Sequence, residues 1–114
     1  MNKAGRLLVA TSTLFAISAL TPALAAVDVA KAEELVLVNK CAKCHEPAKT
    51  KTAPSYKKTA AKYKGRADAE AMVIKNITTG PTVKDSDGNE EEHYIIKTKD
   101  AAQLKNLAQW ILSH

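Results

Sequence analysis

The stretch Cys41-Ala42-Lys43-Cys44-His45 contains both cysteines of this 114-residue chain and one of its three histidines. Residues three and four apart lie on the same face of a helical turn, so this spacing places the two thiols side by side. The imidazole of His45 follows the second thiol directly. The stretch therefore predicts a site at which two thiols and one imidazole converge.

A Cys-x-x-Cys-His sequence is typical of covalent attachment of haem c. In that chemistry Cys41 and Cys44 each form a thioether with a vinyl group of the haem, and His45 binds the iron as its proximal ligand. We therefore predict one covalently attached haem c. In bacteria these bonds are made outside the cytoplasm, so the motif also predicts an exported chain.

Three other uses of two cysteines fit the sequence less well. A thioredoxin-like redox pair needs a strand-helix-strand setting, and the chain has no convincing pattern of parallel strands. A structural zinc site normally needs four ligands, and Cys41, Cys44 and two histidines lack the usual spacing. A plain disulfide between the two cysteines is the remaining alternative.

Residues 1–25 have the pattern of a cleaved signal peptide. Lys3 and Arg6 form a basic head, residues 7–20 are almost wholly apolar or small, and an Ala-x-Ala pattern ends at Ala25. The apolar run is shorter than the roughly 20 residues that cross a bilayer, which favours cleavage over a membrane anchor. We predict cleavage after Ala25, with cleavage after Ala26 as the alternative, and a soluble periplasmic protein without stable membrane insertion.

The predicted mature domain, residues 26–114, is small enough that a purely protein core stabilises it only marginally. Removal of two basic residues and no acidic one lowers its formal charge from +5 to +3. Its large apolar groups are few, because the single Phe of the chain is Phe15 in the signal segment. A buried haem supplies the missing apolar surface, so we expect the haem-free chain to be largely unfolded.

The periodicity of apolar residues predicts four helices and one long polar loop. The first helix is predicted over 28–43 and runs directly into the cysteines. Ser55 is the expected N-cap of a second helix that Gly65 terminates, and Asp100 that of the last helix. A third helix is predicted over 68–77.

The segment between the third and last helices, residues 80–98, is predicted as a long loop, or as a loop with a short extended piece, and it contains the brief apolar run 94–96. In the last helix, five apolar residues form one predicted core face. They are Leu104, Leu107, Ala108, Trp110 and Ile111.

At this point the chain resembles a known family, the small bacterial class I cytochromes c of the c-551, c-552 and c5 kind. The resemblance runs from the cysteine motif through Ala53-Pro54-Ser55-Tyr56 to the last helix at 104–112. It implies an all-α class I cytochrome c fold, in which about four helices surround one haem and the first and last helices cross. It also implies that the carbonyl of Pro54 orients the proximal ligand His45.

The sequence departs from this family at the sixth iron ligand, which is normally a methionine in the loop before the last helix. Counted back from Trp110, that position falls very near His93, which we predict as the distal ligand. Met72 is the only methionine outside the signal segment and is the alternative ligand. We rank it below His93 because it lies in a predicted helix, and a methionine on the apolar face of a helix more often fills the core. An open or water-filled sixth site is a further alternative.

Two other side chains are weaker candidates for the iron. Lys99 lies close to the start of the last helix, and His114 is expected to be solvated.

Charge is distributed unevenly along the chain. Residues 40–66 carry nine basic side chains against Glu46 alone, whereas all charges in residues 85–92 are acidic. A basic ring around the haem edge would steer an acidic redox protein. The alternative is an ordinary lysine-rich surface.

Nucleic acid is not expected as a partner, because an exported protein has little access to it. We expect a monomer or a loose dimer.

Two classes of function are compatible with these features. The first is a mobile electron carrier that transforms no substrate, its iron alternating between the ferrous and ferric states. The second is a haem subunit of a larger periplasmic oxidoreductase, or a haem protein that binds a gas or peroxide at an open sixth site. Two histidine ligands would leave no open position and favour the first.

Overall fold

A computed structural model describes residues 26–114. The predicted signal peptide, residues 1–25, lies outside the described residues. The elements, in chain order, are helix α1 (Val29–Val38), a 3-10 turn (Cys41–Lys43), helices α2 (Tyr56–Tyr63) and α3 (Ala69–Thr79), strands β1 (Thr82–Lys84) and β2 (Glu90–Glu92), and helix α4 (Ala101–Leu112). The prediction of four helices is confirmed.

Three of the helices begin at a side-chain cap. The side chain of Asp28 accepts a hydrogen bond from the amide of Lys31 at 3.1 Å. Ser55 and Asp100, both predicted as N-caps, accept in the same way from the amides of Lys58 and Gln103 at 3.0 Å. Each cap satisfies a backbone donor that the first turn of a helix leaves without an intrahelical partner.

The prediction of one continuous helix over 28–43 is wrong. Helix α1 ends at Val38 with Asn39 as its C-cap, and Lys40 then adopts a left-handed conformation with φ of 57°. The cysteines lie on the separate 3-10 turn that follows. Local helix preference did not reveal this break, because lysine favours helix.

The third helix is longer than predicted, and the loop after it contains a hairpin. Helix α3 continues to Thr79 and ends at Gly80, which has φ of 62°. The short extended piece predicted within 80–98 is present as two strands, β1 and β2, which pair antiparallel with Val83 opposite Glu91. The carboxylate of Asp85 accepts hydrogen bonds from the amides of Asp87 and Asn89 at 2.9 and 2.8 Å, which stabilises the intervening turn.

Helix α4 is the centre of the core and packs against α1, α2 and α3. Its five predicted core residues are all buried. Asn106 of α4 accepts from the amide of Asp28 and donates to the carbonyl of Asp28, both at 2.8 Å, so the first and last helices are joined as the resemblance implied. Within residues 26–114, no helix is both long and apolar enough to cross a membrane.

Candidate haem site

Cys41 and Cys44 occupy one tight turn. Side chains three residues apart eclipse one another in a 3-10 helix, which places both thiols on one side of the chain. The carbonyl of Cys41 accepts from the amides of Cys44 at 3.1 Å and His45 at 2.9 Å. Both thiols are half-buried and are not joined as a disulfide. Burial raises the pKa of the Cys41 thiol, and the neighbouring Cys44 raises it further, so Cys41 is held as the neutral thiol.

His45 is fixed by the loop that follows the cysteine turn. Its Nδ1 donates to the carbonyl oxygen of Pro54 at 2.7 Å. A carbonyl only accepts, so Nδ1 carries the proton and Nε2 keeps its lone pair for a metal. Burial lowers the pKa of His45, and the facing His93 adds to this, whereas the Pro54 bond acts in the opposite direction. A neutral imidazole is the form that binds a metal.

The structure places the ring of His93 close to that of His45. The ring centroids of His45 and His93 are 6.0 Å apart and their planes are inclined by 49°. Nδ1 of His93 donates to the carbonyl of Tyr94 at 2.9 Å, which again leaves Nε2 free. A metal-imidazole bond is about 2 Å long and a ring nitrogen lies about 1 Å from its centroid, so two rings on opposite sides of one metal have centroids about 6 Å apart. The observed separation matches this value.

The other candidate ligands lie in different settings. Met72 is half-buried on α3 and packs against the hydrophobic core. Lys99 is exposed just before α4. His114 is exposed, but its ring contacts the edge of Trp110 at 4.5 Å between centroids, and its Nδ1 donates to the Trp110 carbonyl at 2.9 Å. The exposure of His114 agrees with the expectation that it is solvated, and the contact with Trp110 was not predicted.

Tyr56 is a residue of the site that the sequence analysis did not single out. Its ring stacks on His45 at 5.6 Å and meets the edge of Trp110 at 5.2 Å. The side chain is 5% exposed, and its hydroxyl has no hydrogen-bond partner among residues 26–114. Burial, and secondly Cys41, raise its pKa, so the hydroxyl stays protonated and is a donor. Its position in the sequence, directly after the Ser55 cap and two residues after Pro54, could have indicated that Tyr56 lies near His45.

These residues fit a haem on three counts. Two thiols share one side of a turn, two imidazoles whose Nδ1 atoms donate to carbonyls have their centroids at the separation that one metal requires, and a buried phenol beside them lacks a partner within the described chain. Tyr94 and Ile95, which follow His93, are about half exposed and add apolar surface next to it.

The surface around the cysteine turn is basic but not uniformly so. The nine basic residues counted in 40–66 are all exposed. However, the amide of Ser86 donates to the carbonyl of Thr52 at 2.9 Å, which places the acidic hairpin turn against the loop that carries Lys49 and Lys51. The basic region is therefore interrupted at this point.

The comparisons with known proteins identify the family of the chain. The family model described as cytochrome c matches residues 29–114. The chain belongs to the cytochrome c family. It is therefore a haem-based electron-transfer protein that carries one covalently attached haem c with its iron. The positions of Cys41 and Cys44 are consistent with attachment of this haem.

Solved structures place the chain in class I of the cytochromes c. The class 1 cytochrome MtoD from Sideroxydans lithotrophicus ES-1 is 52% identical with a TM-score of 0.74, over 77% of this chain and 97% of that one. Cytochrome c552 from Nitrosomonas europaea is 27% identical with a TM-score of 0.56, over 71% of this chain and 96% of that one. The predicted class I cytochrome c fold is confirmed.

A curated relative matches over a shorter region. Cytochrome c2 from Rubrivivax gelatinosus is 40% identical over 47 residues, which are 41% of this chain and 55% of that protein. The chain therefore spans about half the length of this relative.

Proposed function

We propose that this class I cytochrome c is a mobile electron carrier of the periplasm whose haem iron is held by His45 and His93. The observation that carries the proposal is the 6.0 Å separation of the two rings, in both of which Nδ1 already donates to a main-chain carbonyl. Neither ring needs a change of tautomer to present Nε2 to a metal. Residues 1–25, with the pattern of a cleaved signal, support the location.

The bound haem supplies a one-electron couple between ferrous and ferric iron. The chain's task is to keep the coordination unchanged in both states, and the main-chain bonds of His45 and His93 serve this purpose. An axial methionine raises the potential of cytochromes c, so two histidines give a carrier of lower potential than methionine-ligated relatives. Two protein ligands also leave no position at which oxygen or peroxide binds.

The ferric visible and near-infrared spectrum of the holoprotein tests the ligand pair. Wild type should be low-spin without a methionine-to-iron charge-transfer band, and His93→Ala should be high-spin. His114→Ala is the matched control, because it also removes a histidine whose Nδ1 donates to a carbonyl, and it should stay low-spin. A charge-transfer band in wild type that disappears in Met72→Leu would overturn the assignment of His93.

An acidic redox protein is the partner we propose for the basic surface around the cysteine turn. Lys43 is exposed directly beside Cys44, whereas Lys105 is exposed on α4. Electrostatic steering is screened by salt with a Debye length of about 10 Å at 0.1 M. The rate of electron transfer to an acidic redox protein should therefore fall steeply with ionic strength, and Lys43→Glu should lower it more than Lys105→Glu. A flat salt dependence would count against this partner.

A further inference from the structure

Asn39 links the two sides of the candidate haem site. It follows helix α1 directly and precedes Cys41 by two residues, and only 3% of its surface is exposed. A polar side chain buried to this extent is unfavourable unless its hydrogen bonds are satisfied. The contacts of Asn39 therefore indicate what the residue does.

The side-chain amide of Asn39 is satisfied at both ends. Its Nδ2 donates to the carbonyl of Leu35 at 2.9 Å, and its Oδ1 accepts from the main-chain amide of Lys97 at 3.0 Å. A carbonyl only accepts and an amide N–H only donates, so these partners fix which end of the side chain is oxygen. The second bond joins residues 58 positions apart in the chain.

Lys97 belongs to the segment that carries His93. The main chain of this segment is tied to the end of α3 by two bonds, from the amide of His93 to Pro81 at 2.9 Å and from that of Ile96 to Ile77 at 2.8 Å. The bond from Lys97 to Asn39 ties the same segment to the start of the cysteine turn instead. It thus connects the chain that carries His93 to the chain that carries Cys41, Cys44 and His45.

We propose that Asn39 is a positioning residue that holds the His93 segment against the cysteine turn and so limits the release of His93 from the iron. The proposal rests on the proposed function, in which His93 is the distal ligand. Without the Asn39 side chain, the main-chain amide of Lys97 loses its partner in a part-buried setting. The closed arrangement then loses stability relative to one in which the segment has moved away.

Asn106 provides a matched control for Asn39. It is also an asparagine that makes two side-chain bonds to main-chain groups, but it joins α4 to Asp28 and makes no bond to residues 93–97. Asn39→Ala and Asn106→Ala therefore each remove two bonds of the same kind. If Asn39 only stabilises the fold, both variants should show the same change in the rate of cyanide binding.

The test is the rate at which excess cyanide replaces the distal ligand in the ferric holoprotein, together with the denaturant midpoint. Both alanine variants should have a lower midpoint. Asn39→Ala should accelerate cyanide binding by roughly tenfold, which corresponds to about 1.4 kcal/mol, whereas Asn106→Ala should stay within about twofold of wild type. Equal acceleration in both variants, or none in Asn39→Ala, would overturn the proposal.

Asn39→Asp is a second variant for the case in which Asn39→Ala does not fold. It keeps an acceptor oxygen for the amide of Lys97 and loses the donor to Leu35, so its cyanide rate should stay less than tenfold above wild type. A rate at least tenfold above wild type in Asn39→Asp, with retained folding, would contradict the assigned bond.

Failure of the proposed function is recognised separately. If the spectrum of His93→Ala matches that of wild type, then His93 is not the ligand, and both proposals are overturned. If His93→Ala turns high-spin while Asn39→Ala binds cyanide at the wild-type rate, only the role of Asn39 is overturned.

Discussion

In both His45 and His93, Nδ1 donates to a main-chain carbonyl, and the two ring centroids lie 6.0 Å apart. The two bonds differ in origin, since His45 reaches across a loop to Pro54 and His93 reaches only to the next residue, Tyr94. The position of His93 therefore depends more strongly on how its backbone is held. This difference makes the distal side the one at which substitutions are most informative.

Replacing His93 with methionine should raise the reduction potential of the holoprotein. Methionine is a poorer donor to ferric iron than imidazole, and axial ligands adjust haem potentials over a range of about 0.8 V. A rise on the order of 100 mV in a redox titration is expected, with a methionine-to-iron band in the ferric spectrum. His114→Met should leave the potential unchanged, and an unchanged potential in His93→Met would contradict distal ligation by this residue.

Tyr56 and Tyr63 are equally buried, at 5% exposure, but only one hydroxyl has a partner in the described chain. The hydroxyl of Tyr63 accepts from Nδ2 of Asn76 at 3.3 Å, so Tyr63→Phe should lower the free energy of unfolding by about 1 kcal/mol and leave the potential unchanged. For Tyr56 we expect the carboxylates of the haem to supply the acceptor. Tyr56→Phe should then lower the potential, because a donor to such a carboxylate weakens its negative field at the iron. A potential equal to wild type would refute this expectation.

Much of the site could be predicted from the sequence because its features are local. The cysteine motif, the caps at Ser55 and Asp100 and the apolar face of the last helix each depend on residues within one or two turns. The assignment of His93 as distal ligand came from its distance along the chain to Trp110 in a known family, and it stays a prediction.

Other features could not be predicted in detail from the local sequence. Nothing near Lys40 marks its left-handed conformation, and the partner of Asn39 lies 58 residues away. The acidic residues 90–92 have low strand preference, yet they form β2 because the Asp85 turn returns the chain alongside β1. Only the bond of Asn39 is a contact between distant residues, whereas the hairpin depends on side-chain bonds within its own turn.

Stability should fall in acid as the capping carboxylate of Asp28 is protonated. Hydrogen bonding from the Lys31 amide, and secondly from its side chain, lowers the pKa of Asp28 below its ordinary value of about 3.9. Because the folded-state pKa is the lower one, this stabilisation is present above pH of about 3.9 and is lost as pH falls further. Denaturant midpoints between pH 6 and pH 3 should therefore depend less on pH in Asp28→Asn than in wild type. Asp87→Asn, at a carboxylate with no side-chain partner among residues 26–114, should retain the wild-type dependence.

Gly80 and Gly65 both have positive φ, of 62° and 76°, but differ in their surroundings. A Cβ at Gly65 would meet nothing within 4 Å, whereas one at Gly80 would lie 3.0 Å from Cγ1 of Ile95 and 3.1 Å from the carbonyl oxygen of His93. Gly65→Ala should therefore lower the free energy of unfolding by only the backbone term of about 1–2 kcal/mol.

Gly80→Ala should lower the free energy of unfolding by about 1–3 kcal/mol more than Gly65→Ala, because the neighbouring chain has to move. Since part of that chain is the backbone of His93, Gly80→Ala should also accelerate cyanide binding to the ferric holoprotein, and Gly65→Ala should not. Denaturant unfolding and cyanide kinetics on the same two variants check both statements. Equal losses of stability together with equal cyanide rates would show that the close approach of Gly80 to His93 does not constrain the distal side.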